Sequence, residues 1–255
     1  MITFFRKLRS QLIKENKVIR YVLYALGEII LVVIGILIAL QINNNNVVNK
    51  TRELEKDYLI SLKTEFETNI EKLSLSQQTA EAMDGSLVQA IGFFEPKTLD
   101  TINNRSFNQC LFQVAGNILN YEPSNGVISD IINSGKLNII DDRNLRHQLA
   151  SYNSNLALMN RHLTALAQTQ KDIQLRFKEF GSLRSLIRDS PKNSILSKYD
   201  NGVDNRKLFE STHFENHIFD YYLTNKVFLD VLFPEMETTL NELVTKIENV
   251  LENRN

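Results

Sequence analysis

The sequence predicts an all-α protein: an N-terminal transmembrane helix followed by an antiparallel bundle of long amphipathic helices. Three observations lead there. The 255 residues include only 9 glycines, 4 prolines and no tryptophan, while 43% are hydrophobic, a composition suited to helices with a sizeable core. The stretch YALGEIILVVIGILIALQINN is almost wholly apolar. Beyond it, apolar residues recur at three- and four-residue steps for most of the chain.

Residues 1–20 form a basic amphipathic tail. Arg6, Lys7, Arg9, Lys14, Lys17 and Arg20 stand there against one acid, Glu15; the remaining 23 basic and 29 acidic residues leave the rest at −6. Ile2, Phe4, Phe5, Leu8, Leu12 and Ile13 lie among those cations, the pattern of a helix resting on an anionic leaflet. A disordered basic tail is the plainer alternative.

Residues 21–43 form the expected span. From Val22 to Ile42 the only formal charge is Glu28, and 21 residues at helical rise reach roughly 31 Å, the thickness of bilayer hydrocarbon. A cleaved signal peptide is disfavoured, because the apolar run is too long and Ile38-Ala39-Leu40-Gln41 offers no small-x-small cleavage site. Six cations before the span, against Lys50 and Arg52 soon after it, place the N-terminus in the cytoplasm. Residues 44–255 are then a periplasmic helical domain. At about 100° per residue, Glu28, Val32, Gly35 and Ala39 share one stripe of the span. Glu28, Gly35 and Ala39 are therefore the candidate intramembrane interaction site, where the carboxylate would hydrogen-bond across a helix–helix contact. The simpler alternative is that Glu28 reaches toward the cytoplasmic headgroups.

The run GEIILVVIGILIALQINN, preceded by FFRKLR and KVIRYVLYAL, resembles the N-terminal signature of a domain-of-unknown-function family of single-span membrane proteins from Gram-negative bacteria. The stretch INSGKLNIIDDRNLRHQLASYN is similar to that family's soluble part. The resemblance implies a short cytoplasmic tail, one span in the inner membrane and a helical periplasmic body, with no catalytic residue or cofactor to carry over. The chain departs from the family in the run Asn43–Asn46, where members typically have a tryptophan just beyond the second asparagine.

After the span, Leu54, Tyr58, Leu62, Phe66, Ile70, Leu73, Ala80, Met83, Leu87 and Ile91 predict one long helix to about Phe94, its pattern broken near Gln77. Gly85 and Gly92 are weak points, and Pro96 disfavours helix before it. Residues 105–135 predict two shorter helices parted at Tyr121–Ser124, with Gly135 as a left-handed cap and Lys136–Ile140 as an extended link. Asp141 or Asp142 caps the next helix. Its seam runs Leu145, Leu149, Tyr152, Leu156, Met159, Leu163, Leu166, Gln170, Ile173, Phe177 and Phe180, a coiled-coil-like pattern closed by Gly181. Residues 182–204 read as a long loop. A last helical region from about 206 to 252 carries Phe214, Ile218, Tyr221, Tyr222, Leu229, Leu232, Met236, Leu240, Leu243, Ile247 and Leu251, with Pro234 kinking or breaking it.

Phosphate-loop, His-Glu-x-x-His, nucleophile-elbow and cysteine-zinc signatures are all missing from the sequence, so no enzyme activity and no cofactor are expected. The single cysteine, Cys110, excludes an internal disulfide and reads as a small buried side chain. No metal site is expected; the nearest approach is His213 and His217, one turn apart with Glu210 and Asp220 beside them, a group that reads more simply as a solvated face. His147 and His162 read as bundle-edge residues. Nucleic acid is not an expected partner of an acidic body without a basic stripe. The expected partners are the lipid bilayer and a membrane or periplasmic protein, a second copy included. The function expected is a membrane-anchored scaffold or interaction partner for other envelope proteins. The alternative is a ligand- or stress-sensing module that signals through a separate partner, since the short tail holds no output domain.

Overall fold

A computed structural model describes residues 18–188 and 202–253. The described residues are all-α, with no strand among them. The chain divides into two compact units, Met1–Asp57 and Tyr58–Asn255.

In the first unit the described residues belong to α1, which begins at Val18 and ends, in the second unit, at Gly92. No proline interrupts it and it passes through Gly85, since an isolated glycine costs a helix only about 1 kcal/mol. Between Val22 and Ile42 the large aliphatic side chains are exposed, and this is the one candidate membrane span among the described helices.

The second unit holds the core, whose buried hydrophobics run from Leu59 to Val250. After α1 come α2 (Pro96–Thr101), α3 (Asn104–Gly116) and α4 (Gly126–Asn133), then a 3-10 turn at Lys136–Ile139 and α5 (Arg143–Phe180). The chain continues through α6 (Leu183–Arg188), a 3-10 turn at Asn205–Glu210, α7 (Thr212–Val227), a π-turn at Phe228–Leu232 and α8 (Phe233–Glu252). Local chemistry accounts for the boundaries. Pro96 opens α2, where its missing N–H has no partner to lose. Asn103, Asp142 and Ser211 accept N–H bonds from Ser106, Leu145 and Phe214 at the starts of α3, α5 and α7. Gly135 turns with φ of 69° after α4.

Cross-links give the directions. Lys63 pairs with Glu248 at 2.7 Å and Asp84 with Lys226 at 3.1 Å, so α7 and α8 run antiparallel to α1. Asp142 meets Lys246 at 3.2 Å and Arg176 meets His213 at 2.8 Å, so they also run antiparallel to α5. α1 and α5 are consequently parallel. The segment between them returns along α1, with Gln113 opposite Ser86, Asn120 opposite Ser76, Ser124 opposite Asn69 and Asp130 opposite Tyr58.

Several elements differ from expectation. Lys136–Ile139 is a 3-10 turn and not an extended link, because the left-handed Gly135 starts a new tight turn. Phe180 is exposed at the end of the α5 seam. Gly181 ends α5 in an extended conformation that suits close approach: a Cβ there would lie 2.9 Å from Asn205 Oδ1 and 3.1 Å from both Phe177 and Leu208. Asn205 clamps the adjacent backbone, accepting from Ser182 N–H at 2.6 Å and donating to Ser182 O at 3.1 Å. The expected loop therefore begins with α6; residues 189–201 of it lie outside the described residues.

The last region shows how the seam survives an extra residue. Buried positions 214, 218, 221, 225 and 228 step by four and three, as do 233, 236, 240, 243, 247 and 250. Between 228 and 233 the step is five, with Leu232 buried as well, and there Phe233 N–H bonds to Phe228 O in an i→i+5 turn. Pro234 follows, with no N–H to give to the carbonyl four residues back. The expected kink or break at Pro234 is thus a local widening that keeps both halves on the core.

Candidate interaction surfaces

Glu28, Gly35 and Ala39 all lie on the exposed apolar part of α1. A Cβ added at Gly27 or Gly35 meets nothing within 4 Å, so none of the described residues fills the space beside these glycines. Arg20 lies in α1, with its side chain outside the description, and Arg6, Lys7, Arg9, Lys14 and Lys17 fall outside the described residues. Near the C-terminal end of the candidate span, Gln41 donates to Asn45 at 3.2 Å along the helix.

Farther along, α1 carries a second pattern, buried and polar. Glu65 Oε2 accepts from Val127 N–H at 2.7 Å and its Oε1 from Ile128 N–H at 3.1 Å. The carboxylate caps α4 from a neighbouring helix, where Asn125 supplies no side-chain cap of its own. Asn69 is fully buried; it accepts from Ser124 N–H at 2.7 Å and donates to Ser124 O and to Tyr152 Oη. Lys72 donates to Glu122 O and Ser124 Oγ, and Ser76 donates to Asn120 O at 2.7 Å. These residues pair the backbone of an irregular stretch that has no helix or strand of its own to satisfy it. On the far side, Gln170 and Gln174 of α5 donate to the carbonyls of Ala115 and Asn117 at the end of α3. The polar seam position noted in α5 therefore closes a helix terminus.

Cys110 is buried and donates to Ser86 O at 3.3 Å; burial pushes its thiol up to about 12. That removes the thiolate on which reactivity depends. Burial likewise raises the phenols of Tyr121, Tyr152 and Tyr221 well above their ordinary value.

His213 and His217 do lie together, ring centroids 4.8 Å apart. However, the guanidinium of Arg176 sits 2.8 Å from His213 Nε2, while Arg176 also pairs with Glu179 at 3.0 Å. A cation already faces the nitrogen that a metal would need, and among the described residues no group of three or more His, Cys, Asp or Glu is placed to hold an ion. His162 packs edge-on against Phe228.

Two features of α7 and its surroundings were not legible in the seam pattern. One is an open cleft of about 430 Å³ beside the π-turn, lined by Asn155, Leu158 and Met159 of α5 and by Leu232, Pro234, Glu235 and Met236. The other is a second apolar row on α7, opposite its buried one: Phe219, Leu223, Val227 and, in the π-turn, Val231. Their four-residue spacing was visible, but nothing in it separates a second buried face from an exposed one.

An all-α body joined to one candidate membrane-spanning helix is the class that these observations define. No family model, no curated protein and no solved structure matches the chain.

Proposed function

We propose that this protein is a single-pass protein of a bacterial inner membrane, with its N-terminus in the cytoplasm and its helical body in the periplasm, serving as a scaffold or interaction partner for other membrane or envelope proteins. The observation that carries the reading is the stretch Val22–Ile42, whose large aliphatic side chains are exposed, with none of the described residues covering them. Only lipid or another apolar surface satisfies such a helix. The orientation rests on the six cations of residues 1–20, and the compartment on the resemblance of the N-terminal run to its Gram-negative family. Within the span, the stripe Glu28, Gly35 and Ala39 faces a partner helix, because the small residues allow close approach and the carboxylate gains a hydrogen bond there.

Crosslinking in membranes, followed by pull-down and mass spectrometry, tests the proposal. A discrete partner band should appear with the native chain and weaken in Glu28→Leu and Gly35→Leu. Unchanged crosslinking in both variants would rule out the intramembrane contact, and recovery of the chain in a carbonate-soluble fraction would rule out the anchor.

The cleft beside the π-turn favours a second reading, a ligand-sensing module, since its volume suits a small molecule. That reading requires a compound that co-purifies with the full chain and raises its Tm when added back.

A further inference from the structure

The row on α7 is an exposed apolar face. Phe219, Leu223, Val227 and Val231 are 38%, 58%, 37% and 44% exposed, large side chains left in water on a helix whose opposite face is fully engaged in the core. Over twelve residues the row spans roughly 18 Å. In an uninterrupted α-helix each four-residue step drifts forward by about 40°, and the last member would slide round the helix. The π-turn, by taking in one extra residue, brings Val231 back toward the line of the other three. A straight ridge at four-residue spacing is the surface into which another helix packs its own side chains.

Charge decides which kind of helix. The row is bordered on its own element by Glu215, Asp220 and Asp230, none of which is ion-paired among the described residues. The one lysine on α7, Lys226, is held by Asp84 at 3.1 Å and feels the charge of Asp230 only beyond ion-pair distance, so it leaves Glu215 and Asp220 unopposed. Arg176, across from the start of α7, is occupied by Glu179 and His213. The rim is therefore acidic in effect. A symmetric contact between two copies would set these carboxylates against one another, and an anionic lipid surface would meet the same repulsion.

We propose that this ridge docks a basic amphipathic helix of a partner protein, whose apolar face covers Phe219, Leu223, Val227 and Val231 while its lysines or arginines meet Glu215, Asp220 and Asp230. The inference rests on the scaffold reading and gives it a partner of defined chemistry.

The test uses the full chain in nanodiscs and two fluorescent helical peptides with the same leucine face, one flanked by lysines and one by glutamates. The lysine peptide should bind, and the glutamate peptide should bind at least about tenfold more weakly, with the gap closing as salt is raised. Leu223→Asp combined with Val227→Asp should cut lysine-peptide binding by at least about tenfold at unchanged Tm, and Glu215→Lys with Asp220→Lys and Asp230→Lys should reverse the preference. Equal binding of both peptides, or no loss in the Leu223 and Val227 variant, overturns the proposal. Two outcomes read on Leu223→Cys also overturn it: disulfide crosslinking between copies in membranes, and burial in phosphatidylglycerol vesicles of a dye attached there. A chain that binds the lysine peptide yet fractionates outside membranes would sink the proposed anchoring alone; a membrane-bound chain indifferent to both peptides would sink this inference alone.

Discussion

Glu65 shows how much one side chain can decide. It carries a charge into the body and holds it there by accepting two backbone N–H bonds at the start of α4. Glu65→Leu should leave both donors unpaired and cost about 1–3 kcal/mol, seen as a Tm fall of about 2–4 °C per kcal/mol for a body of this size, while Glu67→Gln on the exposed face should change little. Asp142 gives a pH-dependent counterpart. The Leu145 N–H and then the Lys246 ammonium hold its carboxyl below the ordinary value of 3.8. A group whose native value is depressed binds fewer protons folded than unfolded, so its contribution is present above the ordinary value and lost as pH falls through the native one. Asp142→Asn should therefore flatten the acid limb of the stability profile measured by denaturant titration, and Lys246→Met should flatten it part way. Asp142 was readable in advance as one of two candidate caps, because capping is local. Glu65 was not: its partners lie 62 and 63 residues away.

At the scale of elements, the two informative cases are α1 and the π-turn. The positions 65, 69, 72 and 76 on α1 step by four, three and four, the same rhythm as its apolar seam. The break in that seam near Gln77 is where Ser76 reaches Asn120 O. A polar residue at seam spacing reads as solvent-facing unless the backbone it serves is known. The π-turn was half legible: Pro234 announced a disturbance, but only the core showed that a five-residue step was being absorbed. Deleting the exposed Asp230 would turn that step into four and restore an unbroken four–three seam. Such a variant should keep cooperative thermal unfolding and near-native Tm, whereas deleting Glu215 from within α7 should abolish cooperativity, since it rotates every later core residue off the core by about 100°.

For the whole molecule, the division at Asp57 and Tyr58 carries a consequence. Among the described residues every buried hydrophobic lies between Leu59 and Val250, so the material of the core is contained in the second unit. A chain of residues 58–255 should be soluble without detergent, helical by circular dichroism and cooperative on heating, while the full chain should require detergent. The all-α class, the apolar stretch Val22–Ile42, the extent of α5 and the left-handed turn at Gly135 were readable in the sequence alone, because each depends on periodicity or on bonds within a few residues, whereas α2, α6 and the 3-10 turn at Asn205–Glu210 were not. The tertiary structure alone decided that a polar stripe of α1 binds the returning chain, that Arg176 faces the histidine pair, and that one apolar row of α7 lies buried while the other stays in water. Each of those depends on which distant residue occupies the neighbouring space, and that is set by packing across the whole body.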